Sequence, residues 1–176
     1  MKDDITIETE RTIMRNLTIE DAADFYALNL DPEVLKYTGD KPFENIEEAK
    51  IFIRDYDQYE KYGVGRLAVI ERATSKFIGW CGLKYHKNEN EYDIGFRFFK
   101  SYWNKGFATE TAKRCLEFGF RNVGIERIIG RAMKENLASI KVLEKVGMRF
   151  KAIVDFEAHQ GLLYEATRMP DNSRMG

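Results

Sequence analysis

The turn Asn104-Lys105-Gly106 joins a strand-like aromatic stretch, EYDIGFRFF (91–99), to an amphipathic helical pattern. One face of that helix carries a row of small or apolar residues: Ala108, Ala112, Cys115, Leu116 and Gly119. The turn has no Ser, Asp or Pro to start the helix, so we expect the first amides to point unbonded beyond the strand. Because Gly106 has no side chain to block an anion, the amides of 104–108 predict a phosphate or pyrophosphate site. The alternative is a plain helix start, with Gly106 as a turn glycine and Trp103 in the core.

Length and composition indicate one globular domain spanning residues 1–176. Hydrophobic residues make up 44% of the chain and charged residues 32%, a balance typical of soluble proteins. The net charge of −1 gives no general attraction to nucleic acid or to an anionic membrane. No apolar run approaches the roughly 20 residues that span a bilayer. We therefore expect a protein that binds neither nucleic acid nor membrane.

The cysteines and histidines indicate a reducing compartment and no metal. Cys81 and Cys115 fall mid-strand and mid-helix by pattern, so they are predicted to be buried thiols. The acidic, polar N-terminal stretch is not a secretory signal, which favours the cytoplasm. His86 and His159 are the only histidines, and neither has a second His or Cys at metal-ligand spacing. The sequence also lacks a serine-hydrolase elbow, a P-loop and a dinucleotide fingerprint.

The elements that would position the turn form an alternating pattern. Strands are predicted near 11–17, 66–72, 76–86, 91–100, 127–133, 149–157 and 162–168, and helices after Thr18 and over 45–61, 107–121 and 136–147. Residues 29–43 are predicted to be irregular, and His159-Gln160-Gly161 to be a turn. The crossover through the helix 107–121 makes its two flanking strands parallel, with a cleft at their carboxyl ends. The prediction is a mixed α/β fold with a central mixed sheet of about seven strands and about four helices.

Segments along nearly the whole chain resemble, in the same order, the GNAT superfamily of acetyl-CoA-dependent N-acyltransferases. Within it, the chain is similar to the branch that contains the ribosomal-protein N-terminal acetyltransferases. ETERTIMRNLTIEDA (8–22) and DPEVLKYTG (31–39) resemble the opening of that branch, and FIGWCGL (77–83) and DIGFRF (93–98) its central strands. YWNKGFATET (102–111) resembles the pyrophosphate loop, and NLASIKVLEKVGMRF (136–150) the second cofactor motif. The resemblance implies a single GNAT-like domain with a splayed parallel pair of strands.

The resemblance also implies how acetyl-CoA, the co-substrate, would bind. Its pantetheine arm would pair like a strand beside 96–99 through main-chain groups around Phe98, where a backbone amide would meet the oxyanion. Its phosphates would lie on the amides of 104–109. The implied cofactor-binding residues are Phe98, Trp103, Asn104, Lys105, Gly106, Phe107, Ala108, Thr109, Asn136 and Ser139. Trp103 stands where the superfamily usually has Gln or Arg, a departure that is common in this branch.

Catalytic roles are implied for two side chains. Ser139 would lie near the sulfur as a hydrogen-bond donor or acid, and Asp93 could deprotonate the amine through water. The alternatives are that Asn136 is only an N-cap, that Ser139 is only a first-turn hydroxyl, and that Asp93 is an exposed strand carboxylate. Glu91 is a weaker candidate of the same kind as Asp93. Leu143 stands where many superfamily members place a tyrosine acid, so the sequence excludes a tyrosine at that position.

The implied reaction is direct transfer of an acetyl group to a primary amine, without an acyl-enzyme. The acceptor would be a protein N-terminus or a small molecule, and the protein a monomer or a homodimer. Two other functions remain open. One is a non-catalytic acyl-CoA-binding sensor or regulatory module, which the missing tyrosine permits. The other is nucleic-acid binding through the aromatic sheet, which the net charge disfavours.

Overall fold

The computed structural model describes residues 4–156 and 158–170 and arranges them around one mixed sheet. Eight strands cross the sheet in the order β1-β2-β3-β4-β5-β6-β8-β7. Their bounds are β1 Thr6–Glu8, β2 Thr12–Asn16, β3 Arg66–Glu71, β4 Phe77–His86, β5 Glu91–Phe98, β6 Arg127–Met133, β7 Arg149–Phe156 and β8 His159–Thr167. The mixed α/β prediction is confirmed. Of the predicted domain, residues 1–3, 157 and 171–176 lie outside the described residues.

Six α-helices connect the described strands. They are α1 Ala22–Leu28, α2 Pro32–Leu35, α3 Ile46–Asp55, α4 Gln58–Tyr62, α5 Phe107–Phe118 and α6 Leu137–Lys145. The helix predicted over 45–61 is two helices, because the backbone of Tyr56 is extended and ends α3. The segment 29–43 contains one short helix, α2, which Asp31 caps and Pro32 begins. A wider π-helical turn, Gly119–Val123, follows α5.

Two strand predictions differ from the structure at the edges of the sheet. β1 was not predicted, because only three residues of it pair with β2. Next to β7, the strand at the other edge, β8 begins at His159, so the predicted turn 159–161 belongs to a strand. The connection lies one step earlier, where Ala158 has a positive φ of 63°. The first difference adds an edge strand and the second displaces a boundary, and the predicted parallel crossover between β5 and β6 is unaffected.

The splay between β5 and β6 is the feature that positions the site. They are the parallel neighbours in the sheet, and their described pairing is limited to Tyr92 with Ile128 and Asp93 with Ile129. Beyond Asp93 the two strands no longer pair, although β5 continues to Phe98 against β4. α5 connects the two strands, as a parallel crossover requires. The predicted splayed pair is confirmed, and its vertex lies at Asp93.

Helix α5 covers one face of the sheet and forms the larger part of the core. Ala112, Cys115 and Leu116 of α5 are buried with Cys81 and Leu83 of β4. On the opposite face α1 and α3 pack a second cluster that includes Phe25, Ile53 and Ala68. These two layers leave uncovered the part of the sheet where β5 and β6 separate.

The two thiols are free and lie inside the core. Cys81 is 0% exposed and Cys115 1%, and their Sγ atoms are 3.8 Å apart. Contact with Cys81, together with burial, raises the pKa of the Cys115 thiol. A buried thiol with a raised pKa is a poor nucleophile, which describes Cys115. Cys81 is equally buried, so both cysteines contribute packing here. Among the described residues, no helix is both long and apolar enough to cross a membrane.

Candidate functional site

A cavity of about 900 Å³ opens at the vertex where β5 and β6 separate. Asp93, Gly95 and Arg97 of β5 line one wall, and Asn136 and Ser139 at the start of α6 line another. Its volume is in the range of sites that bind small molecules. The structure therefore brings Asp93, Asn136 and Ser139 together in one space. Phe98 and residues 103–109 lie outside the lining of this cavity, at the carboxyl end of β5.

The turn after β5 has the backbone form expected of an anion site. Asn104 and Gly106 both have positive φ, 58° and 82°. Gly106 is the N-cap of α5, and no side chain caps the helix. The amides of Phe107, Ala108 and Thr109, the first three of α5, are therefore left for an outside acceptor. An anion at this point would also be stabilised by the helix dipole.

Trp103 ties this turn to the end of β5. Its indole Nε1 donates a hydrogen bond to the Phe98 carbonyl, 2.9 Å away, and the residue is 38% exposed. The alternative that places Trp103 in the core is therefore wrong. The indole uses one lone pair of the Phe98 carbonyl oxygen, which leaves the second lone pair for another donor.

Arg11 braces the same turn from the opposite end of the chain. Its Nη1 donates to the Lys105 carbonyl at 2.9 Å, and its guanidinium lies 4.1 Å from the centre of the Phe107 ring. Its Nε also lies 3.3 Å from Glu110 Oε2. No signal in the sequence points to Arg11, because Arg11 and Lys105 are 94 positions apart and no local pattern connects them.

Asn136 and Ser139 form a reciprocal cap at the start of α6. The Asn136 Oδ1 accepts from the Ser139 backbone amide at 3.2 Å, so the predicted N-cap is present. The Asn136 Nδ2 donates to the Ser139 Oγ at 2.9 Å. Since that bond uses an oxygen lone pair, the hydroxyl hydrogen of Ser139 remains available to a group in the cavity. Asn136 and Ser139 therefore both cap α6 and line the cavity.

Asp93 lies in an ion pair rather than at an exposed surface. Its side chain is 14% exposed, its Oδ1 lies 2.9 Å from Arg66 Nη2, and its Oδ2 lies 3.2 Å from His86 Nε2. Burial works to raise the pKa of Asp93, but the charge of Arg66 and the adjacent His86 outweigh it and lower that pKa to about 2. The carboxylate is therefore a fixed negative charge at neutral pH.

Gly95 makes room for this ion pair. A Cβ at Gly95 would lie 2.7 Å from the guanidinium carbon of Arg66, so a side chain there would displace the arginine. Arg66 is predicted to lie in a strand, without a functional role. The sequence signal for its ion pair is weak, because a strand that begins with Arg has the same pattern whether or not that side chain pairs across the sheet.

Glu91, the weaker carboxylate candidate, is held by two arginines. Arg127 Nη1 lies 2.9 Å from Glu91 Oε1, and Arg131 Nη2 lies 3.0 Å from Glu91 Oε2. Arg127 also contacts Glu165 at 2.7 Å, which links β5, β6 and β8. Through these contacts Glu91 belongs to an ion-pair network that joins the strands.

The far wall of the cavity is aromatic and ends in a charged pair. Phe25, Phe43 and Phe52 contact one another with ring centres 5.5 to 5.8 Å apart. Beside them Arg97 Nη2 lies 2.6 Å from Asp40 Oδ2, and the guanidinium lies 5.3 Å from the Trp80 ring centre. This wall is built by α1, α3 and the 36–45 segment, on the side of the vertex away from α5.

The fold and the site define a class of protein: a mixed open sheet that splays at one parallel pair and has an uncapped helix beside the splay. The family model described as an acetyltransferase (GNAT) domain matches residues 11–149. The chain belongs to the GNAT acetyltransferase family. Among the described residues, no group of three or more His, Cys, Asp or Glu side chains is arranged to hold a metal ion.

Individual relatives agree with this assignment. The chain is 31% identical over 163 residues to "Uncharacterized N-acetyltransferase p20" of Bacillus licheniformis, covering 91% of this chain and 92% of that protein. It is 25% identical to a GNAT-family acetyltransferase structure from Bacillus anthracis, with a TM-score of 0.80 and coverage of 93% and 98%. A structure of RimL, named a ribosomal L7/L12 alpha-N-protein acetyltransferase in complex with coenzyme A, has a TM-score of 0.80 at 13% identity, covering 95% and 100%. That last similarity is one of fold alone.

Proposed function

We propose that this protein is an N-acetyltransferase that moves an acetyl group from acetyl-CoA directly to a primary amine. The observation that carries the proposal is that β5 has a candidate feature at each end of its splayed part. The uncapped amides of α5 lie at one end of it, and the cavity with Ser139 and Asp93 lies at the other. Membership of the GNAT acetyltransferase family supports the acetyl donor.

The residues at the turn fit the phosphates of coenzyme A. The amides of 104–109 and the positive charge of Lys105 would hold the pyrophosphate, with Gly106 leaving its approach open. Phe98 and Trp103 would flank the arm, and Asn136 and Ser139 would meet its thiol end. When bound, acetyl-CoA supplies an acetyl group already activated as a thioester.

Two side chains would serve the reaction from opposite walls of the cavity. Ser139 would donate its hydroxyl hydrogen, which its bond with Asn136 does not use, to the departing sulfur. Asp93 would keep a negative charge beside the incoming amine and orient it, directly or through water. With a pKa of about 2, its carboxylate is matched to this electrostatic role better than to proton uptake.

Direct transfer is supported by the position of the thiols. An acyl-enzyme would require an accessible nucleophile, and both cysteines are covered by the core. The proposed mechanism therefore relies on holding the amine and the thioester close together, with hydrogen bonds placed where charge develops. The free thiols, 3.8 Å apart, also support the cytoplasm as location, and we retain monomer or homodimer as the state of assembly.

The acceptor is proposed as a protein N-terminus or a small amine. The fold shared with RimL supports the first, and the aromatic wall of the cavity supports the second. The cavity lining is balanced in charge. Its acids are Asp40, Glu89, Glu91, Asp93 and Asp155, and its bases are Lys41, Arg66, Lys84, Arg97 and Arg131. Such a lining gives no strong preference for a highly charged acceptor.

A non-catalytic acyl-CoA sensor is the second candidate, and one observation favours it. Leu143, at the position where a tyrosine acid is common, is 2% exposed and presents only hydrocarbon to the cavity. A cavity wall without that acid binds a thioester as well as one that has it. The enzyme and the sensor are both expected to bind acyl-CoA, but only the enzyme is expected to turn over an amine.

The test is thiol release from acetyl-CoA with a panel of amines: a peptide with a free N-terminal serine, spermidine, lysine and kanamycin. Calorimetric titration with coenzyme A is run in parallel. We expect coenzyme A binding and turnover with at least one amine, with an acetylated product in the mass spectrum. Binding without turnover on any panel amine would support the sensor. Absence of binding would overturn both candidates.

A further inference from the structure

His86 is the cavity residue whose chemistry the proposed mechanism leaves unused. It ends β4, and its side chain lines the cavity with 25% of its surface exposed. Its Nε2 is covered and, among the described residues, is the buried side-chain nitrogen or oxygen that has no hydrogen-bond partner. Most buried polar atoms are hydrogen-bonded, so such an atom beside a cavity needs an explanation.

The carboxylate of Asp93 lies beside the His86 ring and is itself held in place. Nε2 lies 3.2 Å from Asp93 Oδ2, without the alignment of a hydrogen bond. The other oxygen of Asp93 is held by Arg66 at 2.9 Å, so the carboxylate cannot turn away from the ring. A carboxylate beside one ring nitrogen fixes the tautomer and the orientation of the ring, so the second nitrogen is the one that can accept a proton.

The position of this pair along β5 is the second observation. Pairing between β5 and β6 ends at Asp93, so the His86–Asp93 pair lies at the vertex of the splay. A ligand arm that runs from the turn at 104–109 back along β5 has its reactive end pointing toward this vertex. Phe98 is five strand residues from Asp93, a separation of about 16 Å. Ser139, at the start of α6, lines the same cavity as His86.

We propose, as a consequence of the proposed function, that His86 is the proton acceptor for the attacking amine, with Nε2–H facing Asp93 and Nδ1 receiving the proton. The amine nitrogen gains the acetyl carbon and loses one proton to Nδ1. The sulfur of the leaving group gains one proton through Ser139 from solvent. His86 then returns its proton to the water of the cavity, so atoms and charges balance over one turnover.

Other charged groups line the same cavity as the ring. They are Lys84 on β4, Glu89 in the following turn, Glu91, Asp93 and Arg97 on β5, Arg66 on β3, Arg131 on β6, Asp155 on β7, and Asp40 and Lys41 before α3. Ion pairs already exist among them: Arg66 pairs with Asp93, Arg131 pairs with Glu91, and Arg97 pairs with Asp40. A lysine or arginine stays charged at neutral pH and cannot accept a proton, and the paired carboxylates are poor acceptors. The imidazole is the group in this set suited to neutral-pH base catalysis.

The experiment compares His86→Gln with His159→Gln, using the panel amine that gives the highest turnover. His159 is the other histidine of the chain and lies outside the cavity lining. We expect His86→Gln to lower kcat/KM for the amine about a hundredfold at pH 7, within the usual range for one acid–base group. Coenzyme A binding should be unchanged, and His159→Gln should match the wild type.

The pH profile and chemical rescue separate a base from a residue that only supports Asp93. A base acts in its neutral form, so wild-type kcat/KM should rise with pH between about 5 and 8, the range in which histidines titrate. His86→Gln should lose this rise, and added imidazole should restore part of the activity of His86→Ala. A wild-type rate in His86→Gln, or a loss that is equal at every pH and that imidazole does not restore, would overturn the proposal. A wild type that binds coenzyme A but turns over no amine would overturn the enzyme itself, and the role of His86 with it.

Discussion

Asp93 and Arg66 illustrate how a single ion pair can serve both stability and the site. The pair lies at the vertex of the splay with both side chains less than one-fifth exposed, 17% for Arg66 and 14% for Asp93. Removing one member leaves the other partly buried and without its counter-charge, which is costly in proteins. The charge that we propose for orienting the amine is therefore also a charge on which the native state depends.

This dependence predicts a specific loss of stability in acid. The pKa of Asp93 is lowered from 3.8 to about 2, so the native state favours the ionised form. That contribution, on the order of 2 kcal/mol, is present above pH 4 and is lost as the pH falls toward 2. Urea unfolding from pH 7 to pH 2 should show a steeper fall between pH 4 and 2 for the wild type than for Asp93→Asn. Parallel curves in that interval would show that Asp93 is not paired in solution.

Substitution of Ser139 distinguishes a capping role of its hydroxyl from a catalytic one. If its hydroxyl serves the sulfur, Ser139→Ala should lower kcat by roughly ten- to a hundredfold, because the interaction is stronger in the transition state. Binding of coenzyme A should change by at most about 1 kcal/mol, the value of one hydrogen bond. Steady-state kinetics at saturating acetyl-CoA, with titration of coenzyme A alongside, measures both. An unchanged kcat with a small loss of stability would leave Ser139 as a cap only.

The turn before α5 depends on a residue from another element. Arg11, between β1 and β2, bonds the Lys105 carbonyl and covers the Phe107 ring, so it fixes the direction of the amides on the far side of the turn. Arg11→Gln should weaken coenzyme A binding about tenfold, equivalent to about 1.4 kcal/mol, while the fold is retained. Isothermal titration is the measurement.

Arg72→Gln is the matched control for Arg11→Gln. Arg72 is also a partly exposed arginine at this edge of the sheet, but its bonds go to Thr9 and Glu8. Equal effects of the two substitutions would mean that a general loss of positive charge, rather than the brace, weakens binding. An unaltered affinity in Arg11→Gln would mean that the turn keeps its shape without the brace.

The strand–turn–helix unit was predictable because its signals are local. The aromatic strand, the turn at Asn104 to Gly106 and the apolar face of α5 lie within thirty residues of one another, and the crossover rule then sets β5 and β6 parallel. The cap of α6 by Asn136 was predictable for the same reason. In contrast, the break between α3 and α4 follows from the backbone of Tyr56, which helical periodicity alone does not reveal.

The polar partners in the site were not predictable, since they come from distant parts of the chain. Arg66 and Asp93 are 27 positions apart, and Arg97 and Asp40 are 57 apart. A sequence pattern identifies Asp93 as a carboxylate on a strand but cannot say that an arginine holds it. For that reason the proposed role of Asp93 changes from proton acceptor to fixed charge once the structure is known.

At the scale of the whole molecule, we propose that donor and acceptor approach one opening of the sheet from different sides. α5 and the turn at 104–109 approach from one side, and α1, α3 and the aromatic wall from the other. The first side is where we propose that the donor binds, whereas the second, built from the 29–45 segment and α3, is where we propose that the acceptor binds. Differences in acceptor between relatives are therefore expected to follow this second side, which is where substitutions should alter amine preference and leave coenzyme A binding intact.

The most direct measurement for the whole account is calorimetric titration of coenzyme A into the wild type, Gly106→Val and Gly124→Val. Both glycines have φ near 80°, 82° and 80°, so valine is equally strained at either position. A side chain at Gly124 meets nothing within 4 Å, whereas one at Gly106 enters the turn that would hold the pyrophosphate, 3.3 Å from Arg11. We predict that Gly106→Val loses at least about tenfold in affinity, some 1.4 kcal/mol, and that Gly124→Val binds like the wild type. Wild-type affinity in a folded Gly106→Val, or equal losses in both variants, would contradict the assignment of this cleft to acetyl-CoA.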